Sequence, residues 1–148
     1  VYSGQRQERV IFSYEDDGVY TTFVGAAVTC LGLRRTTEDT YEPPAKRIKL
    51  PFVAGATWSE TVRAGERIEK ITGRIVQRVT LTVGAGTFST WEVRERAEIS
   101  GGQEGVYETT FWFAPEIGVS VKQIEHTDVR ASGAHFRSNV SLSLASLP

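Results

Sequence analysis

One cysteine, two histidines and no methionine leave this chain poor in the residues that most often carry chemistry. With Cys30 alone, an internal disulfide, a CxxC redox pair and a zinc knuckle are excluded together, and Cys30 is expected to be a small buried apolar residue. His126 and His135 stand nine positions apart, a spacing that fits no compact metal motif such as HExxH, so no metal site is expected. Charge of one sign is lacking too. Seventeen basic and eighteen acidic side chains leave a formal charge of −1, which offers no broad field for nucleic acid or anionic lipid. The longest apolar run, Val24 to Leu33, is broken by Gly25, Thr29 and Gly32 and falls well short of the roughly 20 residues that span a bilayer. No transmembrane segment is expected. A start at Val1 without any methionine suits an exported chain whose targeting segment has been removed, and equally a trimmed cytosolic one.

What is present is period two, the repeat of a strand with one buried and one wet face. Between Glu69 and Val83, Ile71, Ile75, Val79, Leu81 and Val83 hold odd positions, and Lys70, Thr72, Arg74, Arg78, Thr80 and Thr82 hold even ones. Gly73 is the expected place for a bulge within this strand. Gly84-Ala85-Gly86 then turns the chain into a second strand, where Trp91, Val93, Ala97 and Ile99 alternate with Glu92, Arg94, Arg96 and Glu98 across the intervening Glu95. Ser100-Gly101-Gly102 leads to Tyr107, Thr109, Phe111 and Phe113, and Ala114-Pro115-Glu116 closes that strand before Ile117, Val119 and Val121. Phe136, Val140, Leu142 and Leu144 mark a last strand.

The N-terminal third is less regular. Val10–Tyr14 and Val19–Val24 flank Glu15-Asp16-Asp17-Gly18, where Asp-Gly signals a tight turn and the short carboxylates are expected to bond their own backbone. Pro43-Pro44 and Pro51 bracket Ala45 to Leu50, which reads as an edge strand or extended connector. The only short helical turn is expected between Gly55 and Gly65. No repeat or linker divides the chain. The expected architecture is therefore all-β, one domain over residues 1–148, built as a single curved antiparallel sheet, partial barrel or sandwich of hairpins with at most a short helix.

Few residues invite a chemical role. The serines include no GxSxG elbow and no SxxK pair, and the acidic turn at residues 15–17 lacks the DxDxDG spacing of a calcium loop. Lys46-Arg47-Ile48-Lys49 resembles a short nuclear import signal, but lysines also protect an exposed edge strand from unwanted pairing. Asn139-Val140-Ser141 matches the glycosylation sequon, which has meaning only in a eukaryotic secretory pathway. Catalytic residues and cofactors are expected to be none, and the chain is read as not an enzyme; a hydrolase using His126 or His135 is the enzymatic alternative. Trp112 stands out, because Phe111 and Phe113 point to the opposite face of its strand, so something must cover or bind it.

Three segments together carry a family resemblance: LPFVAGATWS at residues 50–59, VGAGTFSTW at 83–91 and FWFAPEIGVSVK at 111–122. Their order and spacing resemble signatures of an exported, β-rich, lipoprotein-like bacterial envelope family of uncharacterised function, similar to proteins associated with tetratricopeptide-repeat partners. Glu116 replaces a glycine usual in that pattern. The resemblance implies a curved antiparallel sheet, an exported envelope or periplasmic location and a scaffolding context, and it implies no catalytic residue.

Two functions follow as expectations. The first is a noncatalytic envelope module that binds another protein through a sheet face or an edge, with Trp112, Val140 and Leu142 as contact residues. The second is a carrier of a lipid or other apolar ligand, with Trp91, Val93, Phe111, Phe113, Ile117 and Val119 lining a concave sheet.

Overall fold

The computed structural model describes residues 5–30 and 33–147. Nine strands follow one another: β1 Gln5–Glu15, β2 Gly18–Cys30, β3 Leu33–Lys49, β4 Thr57–Ala64, β5 Arg67–Val83, β6 Gly86–Gly101, β7 Glu104–Ala114, β8 Val119–Ala131 and β9 Ala134–Ser143. They pair in chain order as one antiparallel meander, curled into a half-barrel. The expected all-β architecture of hairpins is what the chain forms. The helical turn expected between Gly55 and Gly65 is instead strand β4, since Trp58, Glu60, Val62 and Ala64 alternate inward along an extended backbone. The packing expected of Cys30 concerns a side chain outside the described residues.

Tight connections dominate. Asp16 and Asp17 join Glu15 to its partner Gly18, and Gly84 and Ala85 join Val83 to Gly86. At the β8–β9 turn Ser132 and Gly133 adopt φ of 49° and 78°, the left-handed backbone of a two-residue hairpin turn between the paired residues Ala131 and Ala134. The carboxylate of Asp17 does not bond mainly to its own turn. It accepts hydrogen bonds from Lys46 Nζ at 2.7 Å and Tyr20 Oη at 2.9 Å, which ties the first hairpin to β3.

One face of β4–β8 is the core. Ile75, Val93 and Phe111 lie in register across β5, β6 and β7, and with Val19, Ile48 and Phe113 they form one buried cluster. A second cluster, Ala45, Val62, Ile71, Ala97 and Ile99, continues that face and takes in Tyr41 and Tyr107. A side chain such as Ile48, Ile75 or Val93, wholly removed from water, contributes about 1.5–3 kcal/mol. The segment Ala45 to Lys49 is an edge on one side, since β3 pairs with β4 only at Tyr41 and Glu42, but it is not a solvated one. It pairs with β2, buries Ala45 and Ile48, and lays β3 over the sheet.

The register slip lies elsewhere than expected. Gly73 is regularly paired, with Trp58 on one side and Glu95 on the other, and a Cβ there would meet the Trp58 indole at 2.1 Å. Glycine serves to admit an aromatic ring flat against the backbone. The bulge falls between Ile75 and Gln77, so Val79, Leu81 and Val83 turn to the face opposite Ile71 and Ile75. There Leu81 and Val83 join Phe88, Ala114 and Val121 in a third cluster.

Candidate functional site

Trp91, Val93, Phe111 and Phe113 come together in the first core cluster, but the space above them is filled by the chain itself. The β3–β4 connection brings Leu50, Phe52 and Ala56 onto the cluster. Phe52 stacks on Trp91 with centroids 5.4 Å apart and planes within 4°, and it tilts against Phe113 at 5.9 Å. Ile117 and Val119 do not belong to this lining. Ile117 packs in the third cluster on the other face, because the turn after Ala114 carries it there, and Val119 is exposed.

Trp112 occupies the same opposite face, beside Phe88, Val121 and Leu144. Lys122, its cross-strand partner, places Nζ 5.1 Å from the ring centre. The chain after β9 adds cover: Leu144 donates its N–H to Val121 and accepts one from Ala85. Trp112 is therefore separated by the sheet from Val140 and Leu142, whose registers with Glu125 and Gln123 put them on the core face. The three expected contact residues do not form one surface.

The two edges of the sheet differ. β1 is interrupted by a register shift between Ile11 and Phe12, which bends an edge away from flat pairing. β9 pairs with β8 through ten consecutive residues without a shift, and no described strand pairs with its other side. Along β9, Phe136, Ser138, Val140 and Leu142 share one face, with Phe136 60% and Leu142 48% exposed. His135, Arg137 and Asn139 share the other. His135 Nε2 lies 2.6 Å from Asp128 Oδ1, and Arg137 Nε donates to Asp128 Oδ2 at 2.9 Å. The hydrogen bond from His135, with Arg137 nearby, holds the Asp128 carboxyl below its ordinary range.

The opposite face of β4–β8 carries an open trough of about 880 Å³, lined by Ser59, Thr72, Arg74, Arg94, Arg96, Glu108, Thr110, Ile124 and His126 among others. Two cross-strand rows build it: Thr57, Arg74, Arg94, Thr110 and Ile124, then Ser59, Thr72, Arg96, Glu108 and His126. His126 Nδ1 is bound to Asn139 Oδ1 at 2.7 Å, and its cross-strand partner Glu108 is paired with Arg96. Alternation shows these polar positions in the sequence, but not the curvature that gathers five strands around one space.

The core holds a third feature that alternation alone marks as irregular. Glu95 breaks the apolar register of β6 and is buried at 6% exposure. Arg47 Nη1 is 2.9 Å from its Oε2, yet neither carboxylate oxygen receives an aligned hydrogen bond. Burial pushes the Glu95 carboxyl up to about 7 against the pull of Arg47, and the charges of Glu60 and Glu69 push the same way. Glu69 is better supplied, with Arg67 Nε at 2.6 Å and Tyr41 Oη at 3.3 Å. Burial, then the charge of Glu69, raises the Tyr41 hydroxyl to about 12. Among the described residues no group of three or more His, Cys, Asp or Glu side chains is placed to hold a metal ion, and no helix is long and apolar enough to cross a membrane.

No protein-family model, curated protein or solved structure matches this chain.

Proposed function

We propose that this chain is a noncatalytic module of the bacterial cell envelope that binds a protein partner by adding one of the partner's strands to the free edge of β9. The observation that carries this reading is the unbroken ten-residue register of β9 beside exposed Phe136 and Leu142. A straight, regular edge offers main-chain donors and acceptors to an extended segment, while alternate side chains supply specificity. The bulged edge of β1 offers this less well. A carrier role has weaker support, because Phe52 sits on the apolar surface that a lipid would occupy. The envelope setting rests on the resemblance of residues 50–122.

Capture from an envelope extract tests the proposal. The wild-type chain should retain one protein in stoichiometric amount, and Leu142→Asp should lose it while keeping the wild-type circular dichroism. Val10→Asp on β1 should retain it. Failure to recover a stoichiometric partner, or equal recovery with Leu142→Asp, would count against the proposal.

A further inference from the structure

Directly opposed like charges destabilise an antiparallel pair, yet Arg74 of β5 faces Arg94 of β6 in register. Arg96 stands two residues beyond Arg94 on the same face, opposite Thr72. Two of these guanidinium groups have carboxylate partners: Arg94 Nη2 is 2.8 Å from Glu92 Oε1, and Arg96 is paired with Glu108. Among the described residues no carboxylate lies within ion-pair distance of Arg74. Arg74 thus stands in register with Arg94 on the floor of an open trough of about 880 Å³, a volume within the range of small-molecule sites.

The surroundings define the ligand. Thr57 is the β4 partner of Arg74 and Thr110 is the β7 partner of Arg94, so hydroxyls flank the arginine pair on both sides. Ser59 and Thr72 add two more in the adjacent row. Ile124 is the exposed apolar side chain of the lining. Trp58 also borders the trough, but its indole packs on Gly73 toward the core and donates Nε1–H to Lys46 O at 3.0 Å. A protein-binding patch would be expected to present aromatic or large apolar anchors at its centre. This one presents two arginines in register framed by hydroxyls, which suits an oxyanion carried on a polyol.

We propose that the trough binds an acidic oligosaccharide, with Arg74 and Arg94 clamping one carboxylate or sulfate and the flanking threonine and serine hydroxyls bonding the sugar. The guanidinium fork matches either oxyanion through paired hydrogen bonds, and the ligand charge would relieve the repulsion between the two arginines. This site is independent of the β9 edge and does not depend on it.

Titration calorimetry on the full chain tests the site with two probes, a sulfated heparin-derived hexasaccharide and a carboxylated oligogalacturonate of similar length. At least one should bind, and which one binds identifies the oxyanion. Arg74→Gln should weaken binding about tenfold or more, the scale of losing hydrogen bonds to a charged group. Arg130→Gln, a charge change on β8 outside the trough lining, should leave binding unchanged. Unaltered circular dichroism in both variants would exclude unfolding as the cause. No binding of either probe, equal weakening by both substitutions, or displacement of the probe by inorganic sulfate at matched sulfate concentration would each overturn the proposal, the last by reducing the site to an adventitious ion only.

Discussion

Phe52 lies flat against Trp91, ring centres 5.4 Å apart and planes within 4°, so the β3–β4 connection closes the apolar end of the half-barrel with a side chain of its own. Alternation in the strands leaves open whether Trp91, Val93, Phe111 and Phe113 line a cavity or fill a core, and the packing of Phe52 on Trp91 and Phe113 favours a core.

Phe52→Ala should therefore destabilise the fold by about 2–3 kcal/mol, near the lower end for a phenylalanine truncation because the ring is only partly buried. Urea unfolding followed by tryptophan fluorescence measures it. A loss below about 0.5 kcal/mol would mean that the segment rests on the core without supporting it.

Gly73→Ala should cost more than the roughly 1 kcal/mol span of strand propensity, because the new methyl would overlap the Trp58 ring at 2.1 Å. The ring must then leave the backbone and give up its hydrogen bond to Lys46 O. A drop in midpoint with a changed Trp58 emission spectrum is the expected outcome. Gly73→Ala combined with Trp58→Leu should recover part of the loss.

The Glu95 carboxyl gives a pH dependence of definite sign. Its folded value, about 7, lies above its ordinary 4.5, so between these limits the native state holds more of the proton than the unfolded chain. Stability should rise as pH falls from 7 toward 5 and fall as pH returns through 7, by about 2–3 kcal/mol over the full interval. Glu95→Gln should flatten this slope, as read from denaturant midpoints across pH 5–8. An unchanged slope would show that Glu95 titrates normally in the fold.

Ser132 holds φ of 49° in a two-residue turn, a conformation that asparagine adopts more readily than serine. Ser132→Asn, followed by Gly133, should raise stability by about 0.5 kcal/mol, and a thermal midpoint measures the gain.

Strands β5 to β7, the turns that follow each of them, and the apolar half of β9 are legible in the sequence because amphipathic alternation and turn residues agree there. Strands β3 and β4 were hidden for a physical reason. Leu33 to Tyr41 is largely polar and exposed, and the prolines around Ala45 to Leu50 look like punctuation in a segment that passes over the core and pairs on one side. The bulge at Val76 was invisible because nothing in Ile75-Val76-Gln77 demands it, whereas Gly73 had the composition of a bulge and proved to be a seat for Trp58. Glu95 did leave a sign, one acidic residue in an apolar register. The trough left none, since Thr72, Arg74, Arg94 and Arg96 read as an ordinary solvated face until the sheet curves.

The β9 edge is tested most directly by hydrogen–deuterium exchange of the chain alone and in complex with the protein captured from the envelope extract. Strand addition predicts slowed exchange confined to the amides of Ala134–Ser143 that face away from β8, with β1 and the trough strands unchanged. Protection elsewhere with β9 unaltered would contradict the account.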